Sequence, residues 1–223
     1  MGSSPKIIEL YGLPGCGKTT LCEKLINYFP QKIIDVESIW LNFREQSVIR
    51  QISAIPFKTL TKLLFLFLLS PKLSKKELNI YIGFFVHIMA YSYVRKTKYE
   101  YLISDNGLIQ DVVSLFYKKE SKFSRKHVTV ICSLLKDFDN STQIYCDIPV
   151  TLSLERIRKR NRNKGRLDLI SENKKLLGAL TIQSDFFRKV NDMLRFHKVD
   201  YCVLNMNADM LNVVSQVVNI FHF

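Results

Sequence analysis

The residues whose types and spacing can do chemistry begin at Gly12. Gly12-Leu13-Pro14-Gly15-Cys16-Gly17-Lys18-Thr19 satisfies every fixed position of the pattern G-x-x-x-x-G-K-[ST]. An apolar run, Ile7-Ile8-Glu9-Leu10-Tyr11, precedes it, and Thr20–Phe29, with helical spacing, follows. A strand, a tight loop and a helix in that order let Gly12, Gly15 and Gly17 aim successive backbone N–H groups at one point, with the helix N-terminus behind them. Leu13, Pro14, Cys16 and Thr20 complete the expected phosphate cradle. Lys18 would reach the β- and γ-phosphates of ATP, and the Thr19 hydroxyl would ligate Mg²⁺.

Carboxylates and arginines downstream supply the rest of a phosphoryl-transfer site. Lys32-Ile-Ile-Asp35-Val reads as a second buried strand, with Asp35 and Glu37 at its C-terminal edge. Ligands of open parallel sheets sit at that edge, so either carboxylate is a candidate base or acceptor contact. The same position suits a helix N-cap by Asp35 or Ser38, and both readings stay open. Tyr101-Leu-Ile-Ser-Asp105 ends a third strand in a carboxylate that would hold the metal, directly or through water, or act on the acceptor. Gln110 and Asp111, just beyond, are further candidates to face the site.

Seven of the 33 lysines and arginines fall within Arg156–Arg166. Arg156, Arg160 and the pair Arg162/Arg166 repeat at four-residue spacing and share a face while a helix lasts. Asn161, Asn163 and Gly165 then loosen it into a polar loop. Such a basic loop suits closure over a polyphosphate, with Arg160 and Arg166 offsetting transition-state charge and Arg156 on the nucleotide. A solvated helix end is the competing reading. Asn205-Met-Asn-Ala, after the fifth strand, can offer backbone groups to an adenine ring, although its residue types do not demand it.

Behind these residues stand 223 positions with 47% hydrophobic content, enough for one domain with a full core. The formal charge of +13 invites polyanionic partners. A small-molecule acceptor is expected, nucleic acid is compatible but not favoured, and a homodimer is left open. Five cysteines, odd in number and without a C-x-x-C pair, disfavour a disulfide framework or a zinc site. No apolar run approaches bilayer length and the N-terminus is polar, so the expectation is a cytoplasmic protein that does not engage a membrane.

The helices are expected at 40–53, 57–70 and 74–94, the last opened by a Ser74–Glu77 capping box, then over 108–115, 123–138, from Pro149, at 171–197 and over 209–221. His87, on an aromatic-rich helix without metal-ligand spacing, reads as structural. Strands alternating with helices predict a three-layer α/β/α sandwich on a five-stranded parallel sheet. One domain spans 1–223, with residues 40–98 as a helical region on the acceptor side and 156–170 as an arginine-rich lid.

Taken with Leu102–Asp105, Tyr145-Cys-Asp-Ile-Pro149 and the run from Leu154 through Arg160 to Asp168, the chain resembles P-loop nucleoside and nucleotide kinases of the thymidylate kinase-like branch. The resemblance implies strand order 2-3-1-4-5, Mg·ATP as phosphoryl donor, and transfer to a nucleoside, a nucleoside monophosphate or another small hydroxyl compound. A sugar kinase, a polynucleotide 5′-hydroxyl kinase and a nucleotide-dependent switch are the alternatives. Two departures bear on the acceptor. Asn106 stands where thymidylate kinases carry arginine, and Tyr81–Val94 holds no arginine to grip a monophosphate.

Overall fold

The computed structural model describes residues 5–43, 53, 55–69, 74–138, 140–160, 167 and 169–223, with the backbone alone at 42, 43 and 76. Five strands, β1 (Lys6–Gly12), β2 (Ile33–Asp35), β3 (Tyr101–Ser104), β4 (Ser141–Asp147) and β5 (Tyr201–Asn205), form one sheet in the order β2-β3-β1-β4-β5. Every pairing is parallel. This is the expected topology. The central strand β1 is buried over its last six residues, as a strand covered on both faces must be.

Nine helices pack around the sheet among the described residues: α1 (Lys18–Tyr28), α2 (Val36–Phe43), α3 (Phe57–Leu68), α4 (Lys75–Val94), α5 (Leu108–Phe116), α6 (Arg125–Lys136), α7 (Val150–Lys159), α8 (Asn173–Phe196) and α9 (Met210–Phe221). Strand periodicity sorts them into layers. Glu9 and Tyr11 face the side covered by α4, α5 and α8, where Glu9 meets Tyr91 and Ile109 and Tyr11 meets Asn191 and Phe187. Ile8 and Leu10, fully buried, point the other way. Helices α1 and α9 pack against each other.

Several boundaries differ from the sequence expectation for local reasons. Helix α1 begins at Lys18 because Gly17, at φ 101°, already turns the chain. Helix α2 begins at Val36, earlier than residue 40, because Asp35 Oδ1 accepts a hydrogen bond from Ser38 N at 2.5 Å and nucleates its first turn. Its expected continuation, 44–52, lies outside the described residues. Pro149 is the N-cap of α7 rather than its first helical residue, since its ψ of 135° is extended. The Ser74–Glu77 capping box of α4 is present, with Ser74 N donating to Glu77 Oε2 at 2.8 Å.

Helix α5 has no side-chain cap of its own. Glu9, reaching across from β1, supplies one. Its carboxylate accepts from Ile109 N at 2.5 Å and from Tyr91 Oη at 3.1 Å. Gly107 makes this possible: a Cβ there would overlap the Glu9 side chain and come within 2.7 Å of Tyr91 Oη. The turn that presents Asp105 is thereby tied to the central strand.

Candidate active site

The loop from Gly12 to Gly17 leaves β1 and closes onto the N-terminus of α1. Gly15 and Gly17 take φ of 81° and 101°, the alternation that gathers N–H groups into an anion-binding nest. Gly12, at φ 149°, lies so close to β4 that a Cβ would sit 2.5 Å from Cys146 O. Its amide donates to Gln110 Oε1 at 3.1 Å, so α5 holds the loop's entry. Lys18 Nζ arcs back over the loop to Gly12 O at 3.0 Å and Leu13 O at 3.3 Å.

Helix α7 fastens the loop from outside. Ser153 Oγ donates to Pro14 O at 2.6 Å, and Arg156 donates to Cys16 O at 3.3 Å and Met206 O at 3.2 Å. The bonds to Pro14 O and Cys16 O engage carbonyls of the loop rather than N–H groups of the nest. Burial pushes the Cys16 thiol up, but a hydrogen bond from Cys146 and the Lys18 ammonium outweigh it and bring the thiol below its ordinary value.

Two cavities open on either side of Thr19. The larger, about 840 Å³, is lined by Pro14–Thr20 residues including Lys18, by Gln110, Arg156 and Arg160, and by Met206, Ala208, Asp209 and Met210. The smaller, about 430 Å³, is lined on its apolar side by Cys22, Ile26, Val36, Trp40, Val86 and Ile103. Its polar groups are Glu23, Asp35, Glu37, His87, Ser104 and Asn106 together with Thr19 and Asp105. Thr19, Asp105 and Asn106 belong to both. At that junction Thr19 Oγ1 donates to Asp105 Oδ2 at 2.6 Å.

Thr19, Thr20, Lys18, Asp105, Arg156 and Arg160 therefore converge on the larger cavity, and Asp35 and Glu37 on the smaller one. Asp35 both caps α2 and lines its cavity, so the two sequence readings of this residue coexist. Leu13 and Cys16 are buried and contribute backbone, not side chains. Asn205 Oδ1 accepts from Asn207 N at 3.0 Å, and Met206 and Ala208 of the same loop, with Met210, line the larger cavity. Arg166, Arg162 and the loop between 161 and 166 lie outside the described residues.

The sequence singles out neither Ser153 nor Glu9, and it reads His87 as structural. Ser153 was findable, one helical turn before Arg156 on the same face. His87 is buried, at 8% exposure, yet lines the smaller cavity, and its Nδ1 lies 3.0 Å from Asp111 Oδ2. Glu9 is wholly buried, and burial raises its carboxyl to about 7 against the lowering by its hydrogen bonds and by His87.

No group of three or more histidine, cysteine or carboxylate side chains capable of holding a metal occurs among the described residues. No described helix is long and apolar enough to cross a membrane. No family model and no curated protein matches the chain. Solved structures do. The M. mycoides deoxyadenosine kinase with bound dCTP aligns with a TM-score of 0.53 at 16% identity, over 97% of this chain and 98% of that one. With bound dATP the same enzyme gives 0.51 at 15%, over 98% and 100%. Shikimate kinase from Bacteroides thetaiotaomicron gives 0.52 at 14%, over 98% and 99%. At these identities the likeness establishes the fold alone, a five-stranded parallel α/β architecture.

Proposed function

We propose that the protein is a kinase that transfers the γ-phosphoryl group of ATP to a hydroxyl of a small molecule. The observation that carries this reading is the meeting of two unlike cavities at Thr19 and Asp105, one lined by Lys18, Arg156 and Arg160, the other by apolar groups and carboxylates. A donor triphosphate in the first and an acceptor in the second would face each other across that junction. The neighbours' names, deoxyadenosine kinase and shikimate kinase, fit a small hydroxyl acceptor.

The loop amides and Lys18 hold the β- and γ-phosphates, and Arg156 and Arg160 lie along the nucleotide. Met206, Ala208 and Met210 offer the base an apolar seat. Residues 156–170 act as the lid and 40–98 as the acceptor side of a single domain, with Arg166 on the lid. Thr19 and Asp105 bring two oxygens to one point, 2.6 Å apart, which suits a hard divalent cation completed by phosphate and water. Mg²⁺ held there supplies charge neutralisation on the phosphates.

Four carboxylates and no lysine or arginine line the smaller cavity among the described residues. That lining favours an uncharged acceptor, a nucleoside or another hydroxyl compound, over the nucleoside monophosphate of the thymidylate kinase-like branch. The test is transfer of labelled γ-phosphoryl from Mg·ATP to pooled nucleosides, nucleoside monophosphates and polyols. Lys18→Ala is expected to lower transfer by ~10³-fold with the thermal midpoint unchanged. Undiminished transfer by Lys18→Ala, or no uptake of Mg·ATP by the folded wild type, refutes the assignment.

A further inference from the structure

Two buried polar chains run inward from the smaller cavity. His87 leads to Asp111, and Ser104 leads through Tyr91 to Glu9. Buried polar networks are expensive unless each member is satisfied, so their presence beside a cavity asks for an explanation. The first has the geometry of a histidine oriented by a carboxylate. Asp111 is 7% exposed, and with its carboxylate ionised it only accepts, so that the shared proton is carried by His87 Nδ1. That leaves a lone pair on Nε2 of a ring that borders the acceptor cavity.

Two of the cavity's four carboxylates are already engaged. Asp35 Oδ1 caps α2, and Asp105 Oδ2 accepts from Thr19. Glu23 and Glu37 are exposed. Among the described polar liners, His87 is the titratable group held by a buried carboxylate on a neighbouring helix. Resting on the kinase reading above, we propose that His87, oriented by Asp111, is the general base that takes the acceptor's hydroxyl proton.

In the step, the hydroxyl oxygen attacks the γ-phosphorus and the bond from that phosphorus to the β–γ bridging oxygen breaks. The leaving electron pair stays on ADP, and the hydroxyl proton moves to His87 Nε2 and later to solvent. The groups near the ring are Tyr91 on its own helix, Asp111 on α5 and Glu9 on β1; Asp35 on β2, Glu37 on α2, Glu23 on α1 and Asp105 after β3 line the same cavity. Every charged one is a carboxylate, so the imidazolium forms in a field that stabilises it.

Transfer from Mg·ATP is measured from about pH 5 to about pH 9 with 2′-deoxyadenosine, shikimate and water as probe acceptors, alongside Lys18→Ala as the control for phosphoryl transfer. With the probe that gives Lys18-dependent transfer, His87→Gln is expected to lower kcat by ~10²- to 10⁴-fold and to remove the acid limb of the profile. Mg·ATP affinity by calorimetry should stay within about twofold. Asp111→Asn, which reverses the demand on Nδ1, should lower kcat less and displace the limb. If His87→Gln loses its cooperative melt, His87→Asn and Asp111→Asn are read in the same way. A limb that persists in the folded His87 variant, or a rise in KM alone, overturns the base assignment while leaving the kinase reading standing. Absence of Lys18-dependent transfer with every probe removes the kinase reading and this assignment with it.

Discussion

On the phosphate side of the Thr19–Asp105 contact, the surface a ligand would meet is largely backbone, fixed by glycines and fastened by Ser153 and Arg156. On the acceptor side it is largely side chains, carried by five separate elements and backed by buried Glu9, Tyr91 and Asp111. The first cavity is cationic, the second acidic, within a chain of net charge +13. Backbone construction makes a site demanding at its glycines and permissive elsewhere. Side-chain construction spreads the demand over residues far apart in sequence.

The largest effect that separates the two constructions belongs to Gly12→Ala. Its φ of 149° is strained for any residue with a Cβ, and that atom would meet the Cys146 carbonyl, which sits on a core strand and cannot retreat. A loss on the order of 4 kcal/mol is expected from denaturant unfolding, with nucleotide uptake abolished. Wild-type stability in this variant would mean that the loop is not held against β4 as described.

The same contrast explains what could be read from the sequence. The phosphate loop is eight consecutive residues with a spacing that only one geometry uses, and strand alternation with helices gave the sheet order through the resemblance. Asp105 was visible because it ends an apolar strand. The acceptor side left no such trace. Glu9 sits inside an apolar run and looks like one polar interruption of a strand, and its partner Ile109 is 100 residues away. His87 and Asp111 are 24 apart on different helices, so no local period connects them. Asn205 was legible only as part of a loop offering backbone groups; its side chain closes the turn, and Met206 and Ala208 of that loop line the larger cavity.

Glu9 provides the next test. Burial holds its folded-state carboxyl at about 7 against an ordinary 4.5. Between those values the folded state binds more protons than the unfolded state, so stability falls as pH rises through that window and levels above it. The span corresponds to about 3 kcal/mol. Glu9→Gln keeps an oxygen for Ile109 N and cannot ionise, so its stability should lack that decline. Unfolding curves at pH 4.5 and pH 8 for both proteins check it, and equal slopes would show that Glu9 stays ionised in the fold.

Asp35 separates structure from chemistry on the acceptor side with a smaller effect. Asp35→Ala removes the cap on Ser38 N and should cost about 1 kcal/mol, whereas Asp35→Asn retains an accepting oxygen and should cost only a few tenths. If the carboxylate also contacts the acceptor, Asp35→Asn raises the acceptor KM while its melting curve matches wild type. Unchanged kinetics would reduce Asp35 to a cap.

Gln143 offers a test confined to stability, of whether the sheet beside Glu9 tolerates removal of a buried polar group. It lies on β4 opposite Glu9 in register, is wholly buried, and its side-chain nitrogen and oxygen have no hydrogen-bond partner among the described residues. A buried amide left unpaired costs about 1–3 kcal/mol relative to a satisfied one. Leucine has a similar volume and no polar atoms, so Gln143→Leu should stabilise the fold by about 1 kcal/mol, part of the gain being spent on imperfect shape. Because Gln143 borders neither cavity, phosphoryl transfer should be unaltered while the thermal midpoint rises. A fall in stability would mean that the amide does bind something in the interior, and with Glu9 beside it in the sheet, the pH dependence of Gln143→Leu would then differ from wild type in the same window where Glu9 titrates.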